Sequence, residues 1–167
     1  MSKKLHFILL FFFLLFLQVF VLNNIHFLGY INPYIYIVFV FFYPLKKNRY
    51  SVLLASFLLG LFVDFFSDSG GVHAFSILFI AYIRLFFVKV IFQKSETDFL
   101  LFNLRLEPFG KVFNYVVILT VVHHFLLFSL ESFSFQNLGN IFLNTLFSSI
   151  FTLFLFFLGT YIFSKKQ

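Results

Sequence analysis

The residues of this sequence that could do chemistry are a few ionisable side chains set within long apolar stretches. Asp64 and Asp68 lie four residues apart, His73 and Arg84 follow them, and His123-His124 form an adjacent pair. Carboxylates and imidazoles can transfer protons, and imidazoles are common metal ligands. Ionisable side chains within a bilayer are costly and usually face protein or a cavity, so their positions are the first indication of function.

Each of these groups also has a structural interpretation. On a helix, His123 and His124 point about 100° apart, which suits packing or an interfacial position better than shared metal ligation. Asp64 and Asp68 straddle a predicted helix end and do not form an evident catalytic pair. The sequence contains no Cys, no phosphate-binding glycine loop, no nucleophile-elbow motif and no zinc-protease motif. The sequence therefore predicts no catalytic, cofactor or metal site, and no enzyme.

The composition explains where these residues must lie. Of 167 residues, 62% are hydrophobic, 11% are charged and 34 are Phe. Soluble chains carry roughly 25% charged residues, so this chain cannot cover itself with polar groups in water. The composition excludes a cytosolic enzyme, a secreted disulfide scaffold, a disordered tail and a nucleic-acid binder. It predicts an all-α integral membrane protein with one transmembrane domain, residues 1–167.

A helix that crosses a bilayer needs about 20 apolar residues, and six stretches approach this length. The six candidate spans are residues 5–22, 31–45, 51–66, 72–92, 112–130 and 141–163. The second and third are short, so a re-entrant pair is an alternative for them. Lys3 and Lys4 precede the first stretch as in a signal peptide, but no small-residue cleavage pattern follows, which indicates an uncleaved span.

The basic residues indicate an orientation for the six-span arrangement. Eleven of the twelve Lys and Arg lie before span 1, between spans 2 and 3, at the end of span 4 or in the loop after it, or after span 6. The positive-inside rule then places both termini and loop 93–111 in the cytoplasm. Loop 93–111 is either a short amphipathic helix on the membrane surface or a plain loop.

Small and polar residues mark the faces on which the third and fourth spans should pack. Ser56, Gly60 and Asp64 are spaced by four residues and share one helix face, where Asp64 is a structural hydrogen-bond partner, a ligand contact or part of a proton relay. The sequence from Ser67 to Gly71 predicts a tight turn that needs Gly70 and Gly71. Asp68 is expected to cap the helix that follows this turn.

The fourth and sixth spans each carry one such face. On the fourth, His73 and Arg84 lie within an arc of about 100°, and Arg84 is too deep to meet Asp64. Arg84 is expected to extend to the cytoplasmic side or to bind backbone carbonyls. On the sixth, the small and polar arc consists of Asn144, Thr145, Ser148, Ser149, Thr152 and Gly159. It predicts contact with another helix of this chain or of another protein.

Two stretches resemble a known family. They are Leu17–Tyr34, which contains Ile31-Asn32-Pro33-Tyr34, and Leu59–Ala74, which contains a Gly-x-x-x-Asp pattern at Gly60 and Asp64 followed by Gly71-Val72-His73-Ala74. They resemble the first two hairpins of the bacterial rod shape-determining protein family MreD, in a Bacteroidetes-type member. The good match covers residues 15–92, and the second half matches only in size and number of spans.

The resemblance implies a non-enzymatic scaffold of the cell-elongation (rod) machinery. Family members are expected to bind MreC and, directly or through it, the polymerase RodA and a class B penicillin-binding protein, and so to help control peptidoglycan synthesis and cell shape. The family is also similar to the six-helix membrane component of energy-coupling vitamin transporters, so a small-molecule-binding transport subunit is the alternative. A lipid-acting membrane enzyme is a third hypothesis. The expected partners include membrane lipids and a second copy of the chain, but no nucleic acid.

Overall fold

The computed structural model describes residues 3–25, 31–45, 49–95, 98–100, 102–132 and 138–164, and it is helical throughout its regular elements. The first helix continues from an α-helical part through a π-helical stretch, Leu17–Val21, and a 3-10 turn, Leu22–Asn24. The α-helices are α1 (Lys3–Phe16), α2 (Val38–Phe42), α3 (Tyr50–Ser67), α4 (Val72–Phe92), α5 (Phe109–Ser132) and α6 (Leu138–Ser164). A 3-10 turn, Ile35–Ile37, leads directly into α2.

Five of these helical stretches are long and apolar enough to cross a membrane. They are Leu5–Asn24, Tyr50–Ser67, Val72–Phe92, Phe109–Ser132 and Leu138–Ile162. Large exposed apolar side chains cover their outer surfaces, for example Phe13, Phe65, Phe86 and Phe142. An apolar exterior of this extent suits lipid and not water. The all-α prediction is therefore confirmed, and five of the six predicted spans are helices long and apolar enough to cross a membrane, with ends within three residues of the prediction.

The prediction for residues 31–45 as one continuous span is wrong. Only Ile35–Ile37 and Val38–Phe42 are helical, and Tyr43 is extended, with φ −62° and ψ 135°. Two prolines explain the limits of this short helix. Pro33 lacks an N–H and disfavours helix in the residue before it, and Pro44 has the same effect on Tyr43. The helix between them has no room to reach the length of a span.

Residues 31–45, called the central segment below, nevertheless run through the middle of the bundle. Tyr36, Ile37 and Val40 are completely buried, and the segment contacts α1, α3, α4 and α6. It runs antiparallel to the first helix, because the ring of Phe39 packs on that of Phe11 and the ring of Tyr43 packs on that of Phe7. The eight helical residues of the segment, Ile35 to Phe42, cover about 12 Å at 1.5 Å per residue, less than half of the roughly 30 Å hydrocarbon thickness of a bilayer.

The long helices surround the central segment in chain order, with α3 packed on α4, α4 on α5, and α5 on α6. The loop between α4 and α5 forms two 3-10 turns, Asp98–Leu100 and Leu104–Leu106, and no α-helix among its described residues. Lys94 pairs with Glu107 at 3.0 Å, and the guanidinium of Arg105 lies over the ring of Phe42, 5.4 Å from its centroid. This loop therefore lies at the end of the bundle where the central segment ends.

The α3–α4 hairpin is the tightest helix contact described. A Cβ atom added to Gly60 would lie 2.5 Å from the Cα of Ala74, which no real packing allows. The turn that joins the helices has positive φ at Asp68 (51°), Gly70 (67°) and Gly71 (98°). The predicted turn and the predicted close approach at Gly60 therefore belong to one hairpin, whose helices touch backbone to backbone.

Gly60→Ala should lower the free energy of unfolding by about 2 kcal/mol or more, since the new methyl group must push α3 away from α4. Gly159 has open space around its Cα, so Gly159→Ala should change stability by less than about 1 kcal/mol. Denaturant or thermal unfolding in a mild detergent measures both. Equal effects of the two substitutions would contradict the backbone contact at Gly60.

Candidate functional site

The candidate site is built around the backbone groups of the central segment that need hydrogen-bond partners. Its short helix leaves backbone N–H and C=O groups at both ends without partners inside that helix. In the interior of a membrane protein no water replaces these partners, so side chains from neighbouring helices must bind them. Three polar side chains of the interior do so: Gln18, Thr152 and Arg84.

Gln18 and Thr152 bind the beginning of the segment. The Gln18 side-chain amide donates to the Pro33 carbonyl at 3.0 Å, and its carbonyl oxygen accepts from the Ile35 N–H at 2.9 Å. The Tyr34 N–H donates to the Thr152 hydroxyl at 3.0 Å. Gln18 lies in the π-helical stretch that follows α1. The first and last long helices therefore both bind the entry to the central segment.

Arg84 of α4 binds the other end of the segment. Its two terminal nitrogens donate to the carbonyls of Val40 and Tyr43, each at 2.5 Å. The side chain is only 2% exposed. Of the two roles expected from the sequence, the structure shows the binding of backbone carbonyls. Arg84 thus supplies donors to the carbonyls that a helix ending at Phe42 leaves open.

Between these two ends, the hydroxyl of Tyr36 lies between two imidazoles. It is 2.9 Å from Nδ1 of His73 and 2.9 Å from Nε2 of His123. Tyr36 belongs to the central segment, His73 to α4 and His123 to α5, and all three are buried. One phenol therefore joins three elements that are far apart in sequence.

His124 adds α6 to the same network. Its Nδ1 lies 2.8 Å from the Thr120 carbonyl, which can only accept, so Nδ1 carries the proton. In the neutral ring Nε2 is then an acceptor, and it lies 3.1 Å from the Thr152 hydroxyl, which donates to it. Since Thr152 also accepts from Tyr34, a continuous chain of hydrogen bonds runs from the central segment through α6 to α5.

Asp64 closes the network at the hairpin turn. Its carboxylate accepts from the backbone N–H groups of His73 at 2.9 Å and Ala74 at 2.7 Å, and from the Ser69 hydroxyl at 2.6 Å. The free N–H groups at the start of a helix favour such a carboxylate. The expected cap of α4 is therefore supplied by Asp64. Asp68, predicted for that role, occupies the left-handed position that ends α3.

The structure brings most of the residues selected from the sequence into the interior of the bundle. The buried ones are Ser56, Gly60, Asp64, His73, Arg84, Ser148 and Thr152. Asp68 and Gly70 are exposed in the turn, and Gly71 and Asn144 are half-buried. The packing faces of α3, α4 and α6 therefore meet other helices of the same chain. For α6, the sequence had left open whether the contacting helix belongs to this chain or to another protein.

Sequence reasoning missed Gln18, Tyr34 and Tyr36. Gln18 is the only polar side chain between Phe7 and Leu22, and that isolation was a usable signal. The two tyrosines carried no such signal, because a Tyr beside Pro33 is equally typical of a membrane interface. His123 and His124 were expected at an interface or in packing; both are fully buried and belong to the polar network.

These contacts connect helices and do not form a recognisable reaction centre. The described residues include no group of three or more His, Cys, Asp or Glu side chains placed to hold a metal ion. The Tyr36 hydroxyl fills the space between the two nearest imidazoles. Comparisons of the chain with protein-family models, with curated proteins and with solved structures find no match.

Arg84→Met should lower the free energy of unfolding by about 2–4 kcal/mol, since a side chain of similar length would leave the buried Val40 carbonyl and the partly buried Tyr43 carbonyl without donors. The control is Arg105→Met, which removes only an exposed cation from the ring of Phe42 and should cost about 1 kcal/mol or less. Both can be measured by denaturant unfolding in detergent. A small effect at Arg84 would contradict its role at the end of the central segment.

Asp64→Asn should lower the free energy of unfolding by about 1–3 kcal/mol, because the amide keeps one acceptor oxygen where the carboxylate has two. Asp68→Asn is the matched control four residues away, and it should change stability by about 0.5 kcal/mol or less, since Asn tolerates left-handed backbone well. Thermal unfolding of the two variants compares them directly. A larger loss at Asp68 would reverse the assignment of the helix cap.

Proposed function

We propose that this chain is a non-enzymatic membrane scaffold of the bacterial cell-elongation machinery. In this proposal it binds MreC and, directly or through MreC, the polymerase RodA and a class B penicillin-binding protein. Its role is to help control peptidoglycan side-wall synthesis and thereby cell shape. It lies in the cytoplasmic membrane with both termini in the cytoplasm.

The α3–α4 hairpin is the observation that carries this proposal. The residues on which the resemblance to the MreD family depends contact one another: Gly60 lies against Ala74, and Asp64 accepts from the N–H groups of His73 and Ala74. The Gly-x-x-x-Asp and Gly-x-His-Ala patterns thus describe a single interlocked structure. An interlocked motif is a more specific resemblance than the same residues scattered over a fold would be.

The use of the buried polar groups supports a scaffold and not a catalyst. Gln18, Arg84 and Asp64 each bind backbone groups of another part of the chain. A catalytic group, by contrast, must be within reach of a substrate atom. The outward surfaces of the long helices are apolar and offer area to lipid and to the membrane helices of partners.

The interior supports the scaffold over a transport subunit. A binding subunit of a transporter needs a cavity near the middle of the membrane for its small molecule. In this bundle the middle is filled by the central segment, with Tyr36, Ile37, Phe39 and Val40 at most 1% exposed. A ligand could enter that position only by displacing these side chains.

The proposed cytoplasmic side is supported by where basic residues meet the bundle. Lys94 and Arg105 belong to the loop that contacts Phe42, near the end of the central segment. Arg49 precedes α3 at the same end of the segment. The opposite end carries the Ser67–Gly71 turn, which contains no Lys or Arg. This separation of charge is what the positive-inside rule requires.

The test is affinity purification of the tagged full chain from its native membrane, with identification of the proteins that accompany it. The proposal requires MreC and the elongation polymerase among them. Recovery of an energy-coupling ATPase module in their place would identify a transport subunit. Recovery of neither would contradict the scaffold assignment.

Two matched variants connect this test to the hairpin. Gly60→Leu should abolish recovery of MreC, because the side chain cannot fit against the backbone of Ala74. Gly159→Leu makes the same change of residue at a position with open space, and it should leave recovery unchanged at equal membrane abundance. Full binding by Gly60→Leu would show that the hairpin motif does not support the partner surface.

A further inference from the structure

The phenol of Tyr36 restricts the protonation of the two imidazoles beside it. Its oxygen lies 2.9 Å from Nδ1 of His73 and 2.9 Å from Nε2 of His123. A hydroxyl has one proton, so it donates to one ring nitrogen and accepts from the other. Along His73, Tyr36 and His123 the two hydrogen bonds therefore have the same donor-to-acceptor direction. If one of them reverses, the other must reverse as well.

This restriction links the tautomers of the two rings. If Tyr36 donates to His73, then His123 donates from Nε2, and a neutral His73 carries its own proton on Nε2. If Tyr36 donates to His123, both neutral rings carry their protons on Nδ1. Neutral His73 and His123 must therefore always have the same tautomer, although they lie on different helices.

The far end of this chain of hydrogen bonds is Nδ1 of His123, on α5. His123 Nδ1 is buried and has no hydrogen-bond partner among the described residues, and the same is true of the hydroxyls of Thr120, Ser148 and Ser149. Thr120 lies one helical turn from His124, and Ser148 and Ser149 lie within about one turn of Thr152. Because His124 and Thr152 are hydrogen-bonded, the Thr120, Ser148 and Ser149 hydroxyls lie within about one turn of this contact between α5 and α6.

The ring nitrogen is the most demanding of these four atoms. A Ser or Thr hydroxyl in a helix can turn towards a carbonyl of its own preceding turn. The imidazole of His123 cannot make that adjustment while its Nε2 is bonded to Tyr36. A buried polar group without a partner is costly, and a buried water bound to two to four such groups is the usual solution.

We propose that a water molecule binds at Nδ1 of His123, and that Tyr36 makes the orientation of this water follow the protonation of His73. When His73 carries protons on both nitrogens, its Nδ1 must donate to Tyr36. Tyr36 then donates to His123 Nε2, and His123 Nδ1 carries the proton and donates to the water. When His73 is neutral with its proton on Nε2, His123 Nδ1 accepts from the water.

The groups around His73 come from four parts of the chain. The Asp64 carboxylate of α3 binds the backbone N–H of His73, and Ser69 of the turn binds the same carboxylate. The central segment contributes Tyr36 and the ring of Tyr34, 5.4 Å from the His73 ring between centroids. From α5 come His123, through Tyr36, and His124. A proton taken up by His73 therefore changes the hydrogen bonding of His123 on α5.

The test is nitrogen NMR of the full chain, labelled in its histidine rings and reconstituted in lipid bilayers. We expect magnetisation transfer from water to His123 Nδ1, and identical tautomers for neutral His73 and His123. His124 provides the internal reference, since its Nδ1 proton is held by the Thr120 carbonyl. Absence of the water contact, or opposite tautomers in the two rings, would overturn the proposal.

Two tyrosine variants distinguish loss of the Tyr36 hydrogen bonds from a general loss of structure. Tyr36→Phe removes the link. We therefore expect the tautomer populations of neutral His73 and neutral His123 to differ and to change independently with pH. Tyr34→Phe keeps the backbone N–H that binds Thr152 and should retain the match. An unchanged His124 tautomer shows that each variant is folded. If the match survives in Tyr36→Phe, or is lost equally in Tyr34→Phe, then Tyr36 does not couple the rings.

Discussion

The architecture depends on one constraint: a backbone that leaves the helical conformation inside a membrane protein must find hydrogen-bond partners there. Pro33 and Pro44 limit the central segment to a helix of eight residues, Ile35 to Phe42. That short helix exposes donors at one end and acceptors at the other. Gln18 and Thr152 satisfy the first end, and Arg84 satisfies the second. These three side chains therefore lie where the two ends of the short helix need hydrogen-bond partners.

The same constraint explains why polar residues from distant parts of the chain converge. Apolar helices in lipid gain little from apolar burial against one another, so hydrogen bonds and close contacts between small residues determine which helices associate. Gly60 allows α3 to approach α4, and Asp64 fixes the register of that pair by binding the start of α4. Tyr36 then joins α4 to α5, and Thr152 joins α6 to both α5 and the central segment. Each contact satisfies a group that would otherwise be buried without a partner.

Hydropathy and length predicted five long helices well, because lipid imposes both properties along the chain itself. Hydropathy and length gave a wrong prediction of one continuous span for residues 31–45. This segment is surrounded by protein, so other side chains can bind its backbone and a complete helix is not required. Pro33 and Pro44 were visible in the sequence, but the partners of the broken ends lie up to 118 residues away, as Tyr34 and Thr152 do. Helical periodicity correctly grouped Ser56 with Asp64 and Ser148 with Thr152. It could not identify Tyr36, whose role depends on the meeting of three elements and not on the pattern of any one.

The residues that resemble the MreD family lie inside the bundle and not on the outer surface, where the proposed partners would bind. Gly60, Asp64, His73 and Ala74 are buried and bind other parts of the same chain, so none of them is available to another protein. The exposed faces of the long helices instead carry large apolar side chains, such as Phe86 on α4 and Phe142 on α6. Under the proposed scaffold function, a partner helix therefore contacts these faces, which the buried hairpin holds in position. The proposal then implies that substitutions in the motif affect binding through the fold, and that only substitutions on the outer faces change partner choice while stability is preserved.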